Sequence, residues 1–127
     1  MNKFLIAMAL LYGSYWYAST HYKFDDVLIY AKKNPQASWA PAVDYYVGAI
    51  YIQRGDFRKA QAAFTQLLTD NSTGTYTAQG LRRLSEVAEE NRDWPTARQS
   101  LERYIEEFPS NKEIEQVKQR LELIKFK

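Results

Sequence analysis

Between Pro41 and Arg54 the apolar stripe runs through Val43, Val47, Ile50 and Tyr51; between Asp56 and Asp70 it runs through Phe57, Ala60, Phe64, Leu67 and Leu68. A recurrence of three to four residues winds one apolar stripe down a helix of 3.6 residues per turn. The same recurrence returns at Leu81, Leu84, Val87 and Ala88, then at Trp94, Ala97, Leu101, Tyr104, Ile105 and Phe108, and again at Ile114, Val117, Leu121 and Ile124. The pattern predicts an all-α chain, with six helices after or continuous with an apolar N-terminal helix. Local punctuation agrees. Ser38 with Pro41 suits a helix start, and Gly55 suits a left-handed C-terminal cap. Asp56 and Asp93 suit N-caps, with Pro95 inside the first turn, and Pro109 ends a helix. Asp70-Asn-Ser-Thr-Gly74 reads as a loop.

These helices repeat. Gly55-Asp56-Phe57, Ala60, Phe64 and Leu67 recur 37 residues later as Arg92-Asp93-Trp94, Ala97, Leu101 and Tyr104. Two periods back from Tyr104 and Pro109 stand Tyr30 and Pro35, and one period on from Leu84 and Val87 stand Leu121 and Ile124. A period of 20–50 residues marks a solenoid, here running from about Lys23 to the C-terminus. The last helix carries Lys112, Glu113, Glu115, Lys118, Gln119, Arg120, Glu122 and Lys125 outward, as a terminal capping helix requires.

The first twenty residues have a different pattern. Residues 4–18 are almost wholly apolar and span about 22 Å as a helix, short of a ~30 Å hydrocarbon core; extension to Thr20 brings them near the lower limit. Lys3 and the amino terminus give a positive start, as in a secretory signal. Cleavage after Ala18 or Ser19 would put Trp16 or Tyr17 at the −3 position, where a small residue is required. Tyr12, Tyr15, Trp16, Tyr17 and Tyr22 instead suit an interfacial belt, and Ala9-x-x-x-Gly13 offers a small face to a neighbouring helix. The favoured reading is an uncleaved anchor in residues 1–20, with Phe4, Leu5, Ile6, Leu10, Leu11, Tyr15, Trp16 and Tyr17 as the membrane segment. A cleaved signal and a buried soluble helix are the alternatives. Positive charge ahead of the run places residues 21–127 outside a bacterial cytoplasmic membrane, facing the periplasm on a single-pass anchor.

Composition narrows the chemistry. With 46% hydrophobic and 25% charged residues the chain is globular, and a net charge of +2 supplies no field for nucleic acid. No cysteine means no disulfide, thiolate nucleophile or Cys-zinc site. The single histidine, His21, reads as interfacial. Glu86, Glu89, Glu90, Glu102, Glu106 and Glu107 lie on helical surfaces near Arg98 and Arg103, which is not a general acid–base pair. Asn71-Ser-Thr73 matches a glycosylation sequon of little weight. No catalytic, cofactor or metal residues are expected, and the chain is read as non-enzymatic.

The large-and-small alternation at Gly48, Tyr51, Gly55, Phe57, Ala60 and Phe64, then at Leu81, Leu84, Ala88, Trp94, Ala97, Leu101, Tyr104 and Pro109, resembles the tetratricopeptide repeat. Ser72 in place of the terminal proline, Arg92 in place of the turn glycine and a 37-residue period suit the divergent repeats of bacterial envelope proteins. The resemblance implies a short solenoid of about 2.5–3 antiparallel helix pairs. It also implies that the first helix of each pair lines a concave groove. That carry-over puts Ala42, Tyr45, Ala49, Ile52 and Gln53, then Gln79, Arg82, Glu86, Glu89 and Glu90, on the groove, with Tyr46 also exposed. The partner-binding set is Tyr45, Tyr46, Ala49, Ile52, Gln53, Arg82, Glu86 and Glu89. Tyr45, Ala49, Arg82 and Glu86 stand where chaperone-docking members carry a lysine and asparagine clamp, so an acidic chaperone tail is not the expected ligand. The resemblance implies an adaptor or scaffold for other proteins, in a cell-envelope complex and tethered to the bilayer through residues 1–20. The alternatives are an accessory subunit packed permanently in a membrane complex, or a free periplasmic protein after signal cleavage.

Overall fold

The computed structural model describes residues 2–21 and 24–127, and the side chains of residues 2–16 and 25–127. Among these residues every regular element is a helix: α1 (Lys3–His21), α2 (Phe24–Lys33), α3 (Ala40–Gln53), α4 (Phe57–Asp70), α5 (Thr77–Glu90), α6 (Trp94–Glu107) and α7 (Ile114–Ile124). From α2 onward each helix packs on the next, and α3–α4 and α5–α6 form the tightest pairs. This is the expected all-α solenoid of helix pairs.

Two turns build the pairs, and each is a Schellman motif. After α3 the Gly55 N–H donates to the Ile52 carbonyl and the Asp56 N–H to Tyr51; after α5 the Arg92 N–H donates to Glu89 and the Asp93 N–H to Ala88. Both need a left-handed residue. Gly55 supplies it at φ 75° and Arg92 at φ 58°. The next residue, an aspartate in both turns, then caps the second helix, Asp56 accepting from the Lys59 N–H and Asp93 from the Thr96 N–H. The first helix of each pair starts differently. Ser38 does not cap α3; Trp39 holds the N-cap position with no side-chain hydrogen bond, and Pro41 in the first turn needs no partner for its missing N–H.

The core is the predicted stripe: Val47, Tyr51, Ala60, Phe64, Leu67, Leu68, Leu81, Leu84, Val87, Ala88, Ala97, Leu101, Tyr104, Val117 and Ile124 are buried. Trp94, expected inside it, is half-buried, with the Lys127 ammonium 5.6 Å from its ring centroid. Small residues let the helices approach. A methyl group at Gly48 would lie 2.7 Å from the Phe64 ring, and one at Gly80 would lie 2.7 Å from Leu67. Helix α7 closes the C-terminal end with Val117 and Ile124 buried and Ile114 and Leu121 half-buried, and its outer face is mostly polar as expected.

Helix α1 corrects one expectation. Among the described residues no helix is long and apolar enough to cross a membrane. The uninterrupted apolar run from Phe4 to Leu11 covers only about 12 Å of helix, and Tyr12, Gly13, Ser14 and Tyr15 dilute the next turn. The single-pass span expected of residues 1–20 is therefore not found. The expected membrane residues Phe4, Leu5, Ile6, Leu10, Leu11, Tyr15 and Trp16 are all exposed. The lipid contacts expected of Tyr17, the interfacial placing of His21 and Tyr22, and the retention of Met1 fall outside the described side chains.

Candidate functional site

Helices α3, α5 and α7 share one side of the stack. Tyr45 and Tyr46 stand in the second turn of α3, and Tyr76 is the N-cap residue of α5. Their rings form a cluster with centroids 5.3 Å apart for Tyr45–Tyr76, 5.4 Å for Tyr45–Tyr46 and 6.0 Å for Tyr46–Tyr76. Tyr45 is anchored from below by the buried Phe64 ring at 5.8 Å, edge-on. Tyr46 is 57% exposed and forms the open rim. A hydrogen bond between the hydroxyls of Tyr46 and Tyr76 holds the Tyr76 phenol above its ordinary range.

The cluster continues into a charged strip along α5. Arg83 bonds the Tyr45 hydroxyl and lies 3.4 Å from Glu86, and both contacts hold its guanidinium charged. Beyond Glu86 lies a cleft of about 340 Å³ between α5 and α7, lined by Arg82, Ser85, Glu86, Glu89, Glu90, Gln116, Val117 and Arg120, with Leu101 at its floor. Its walls are tied by ion pairs, Arg82 to Glu113 at 2.5 Å and Arg120 to Glu89. The Glu89 pairing also raises the Arg120 guanidinium above its usual range.

Of the sequence-predicted residues, Arg82, Glu86 and Glu89 are brought together in this cleft, and Tyr45 and Tyr46 in the aromatic cluster. Ala49 and Ile52 are half-buried, and Ile52 packs against the core. Gln53, in the last turn of α3, is exposed. Sequence reasoning missed Tyr76 and Arg83. Tyr76 stands one 37-residue period after Trp39, another aromatic N-cap residue, and that spacing was the available signal. Arg83 lies off the apolar stripe, so nothing local distinguishes it from a solvated cation. Glu113, expected on the outer face of the last helix, instead reaches back to Arg82.

This arrangement offers aromatic area, a fixed row of charges and no converged catalytic group. Among the described residues no three His, Cys, Asp or Glu side chains gather as metal ligands would. The family model of the tetratricopeptide repeat matches residues 42–73 and 79–111, which together make up just over half of the chain. The two matches begin 37 residues apart and correspond to the α3–α4 and α5–α6 pairs. No curated protein and no solved structure matches the chain.

Proposed function

The chain belongs to the tetratricopeptide repeat family, and on that footing we propose a non-enzymatic protein–protein interaction module whose binding surface is the α3–α5–α7 face. One observation carries the reading: the ring cluster of Tyr45, Tyr46 and Tyr76 runs through Arg83 and Glu86 into the Arg82–Glu89–Arg120 cleft. Tyrosines give large contact area at low entropic cost, and half-buried arginines paired to glutamates set orientation. The partner is a protein segment with an apolar or aromatic anchor for the tyrosines and polar groups for the cleft. The experiment places a photo-crosslinking phenylalanine analogue at position 46 of the full chain in its native host. One protein should be captured there and not from Gln99 on α6. Tyr45→Ala or Glu86→Lys should lower the yield at least tenfold. Equal capture from both positions would sink this surface.

A second reading concerns α1. The exposure of Phe4, Leu5, Ile6, Leu10 and Leu11 favours attachment of residues 1–20 to an apolar environment. That environment would be a lipid surface, or the interior of a larger envelope complex that holds the chain as an accessory subunit. Either attachment would hold residues 21–127 close to that environment. Flotation of the full chain with phospholipid vesicles tests it, and a chain that stays at the bottom of the gradient counts against attachment to lipid.

A further inference from the structure

A carboxyl group is enclosed where α2 meets the α3–α4 pair: Asp44 of α3 is 1% exposed. One side-chain amide joins it to both neighbouring helices. Gln66 Nε2 on α4 donates to Asp44 Oδ1 and to the Leu28 carbonyl of α2, both at 2.9 Å. Two acceptor oxygens therefore converge on a single nitrogen. Asp70, one turn along α4 from Gln66, brings a second carboxyl, and its Oδ2 is buried without a hydrogen-bond partner.

The surroundings offer Asp44 no buried counter-charge. Helix α3 itself carries no cation. On α2 the packed residues are the apolar Leu28 and Ala31, and Asp25 at its start is engaged by Tyr51 and Lys59. The cations of this corner, Lys32 on α2 and Arg58 on α4, are exposed. With Leu28, Gln66 and Asp70 they line an open cavity of about 670 Å³ between the two helices.

We propose that α2 is a proton-controlled flap, closed on the α3–α4 pair while Asp44 holds a proton and lifted from it when Asp44 ionises. A protonated carboxyl still accepts from Gln66 and needs no counter-charge. An ionised one must be solvated, and it repels the Leu28 carbonyl and Asp70. Helices α3 and α4 form a tight pair, whereas α2 touches α4 only lightly, so α2 is the element that yields. The cavity beside Leu28 and Asp70 is the route by which water reaches the carboxylate. Lifting α2 bares the apolar ground under Leu28 and Ala31, so a surface hidden in acid is offered near neutrality. Burial raises the Asp44 carboxyl to about 6, which puts the change between pH 5 and pH 7. A proton held more tightly in the closed form favours closure below that range, and the advantage is lost as pH rises through it. The flap is independent of what binds the α3–α5–α7 face.

Hydrogen exchange of the full chain, read by mass spectrometry and corrected for the intrinsic rate at each pH, tests the flap. The open fraction of α2 should rise about tenfold from pH 5 to pH 7. At each pH α2 should exchange at least tenfold faster than the core amides of α5, at a rate unchanged by low urea, as local opening requires. Asp44→Asn should keep α2 protected at both pH values, and Asp70→Asn should make the rise smaller. Carbon-13 NMR of the wild-type Asp44 carboxyl gives a reading that needs no variant, with a titration midpoint near 6 expected. Protection of α2 that is flat with pH, exchange of α2 in step with α5, a pH dependence that survives Asp44→Asn, or an Asp44 carboxyl titrating in the ordinary carboxylate range would each overturn the flap.

Discussion

Asp44, in the second turn of α3, is 1% exposed and accepts a hydrogen bond from Gln66, whose amide also reaches the Leu28 carbonyl on α2. Burial pushes the carboxyl up to about 6, against the Gln66 bond and with help from the nearby Asp70. The folded value is raised above the unfolded one. Its contribution is therefore fully present below about pH 4 and is lost as pH rises through about 6. Two pH units correspond to about 2–3 kcal/mol. Asp44→Asn keeps the shape and an acceptor for Gln66. It should be more stable than wild type by up to that amount at pH 7 and equal to it near pH 4, as read by urea unfolding at the two pH values. Gly48 makes the opposite point. Alanine would favour the helix by ~1 kcal/mol, but its methyl would meet the buried Phe64 ring at 2.7 Å. The ring has no room to move, so Gly48→Ala should cost about 1–3 kcal/mol net and lower the melting temperature.

At the scale of elements, the pairs depend on their turns. Arg92 adopts φ 58° to close the α5–α6 turn in the role Gly55 plays for α3–α4. A β-carbon there costs roughly 1–2 kcal/mol of local strain, partly offset because glycine gains entropy in the unfolded chain. Arg92 is exposed at the turn, so Arg92→Gly removes little packing and should raise stability by about 0.5–1 kcal/mol in chemical denaturation. Helix α7 is held by apolar and ionic contacts together. Val117 and Ile124 are buried, and Arg82–Glu113 and Glu89–Arg120 join it to α5. Ending the chain at Pro109 would expose the α6 surface that these residues cover. Such a chain should lose several kcal/mol and bind a hydrophobic dye where the full chain does not.

For the whole molecule, stability should divide along the chain. The core lies between α3 and α7, and every described side chain of α1 is exposed. Removing residues 1–23 should therefore leave a strongly helical circular dichroism spectrum and a cooperative melt. A substantial β-sheet signal would be incompatible with the repeat. The proposed binding surface follows the same division. The α3–α5–α7 face carries the aromatic and charged residues, and the opposite, N-terminal end carries the open apolar ones, Val27 and Tyr30.

The helices, their 37-residue period, the left-handed residue at Gly55 and the caps at Asp56 and Asp93 were legible in the sequence, because each depends on contacts within about four residues. Ser38 was misread for the same reason: a hydroxyl near a proline is a local signal, but the chain enters α3 through Trp39. Tertiary structure alone decided which polar residues go inside, as with Asp44, Thr77 and Ser85. It also decided that Tyr76, Tyr45 and Arg83 meet, and that Glu113 turns inward to Arg82 across 31 residues of sequence. Periodicity reports how side chains line one helix. Which helix faces which, and what volume lies between them, is set by crossing geometry, where Gly48 under Phe64 and Gly80 against Leu67 are invisible until the pairs are placed in space.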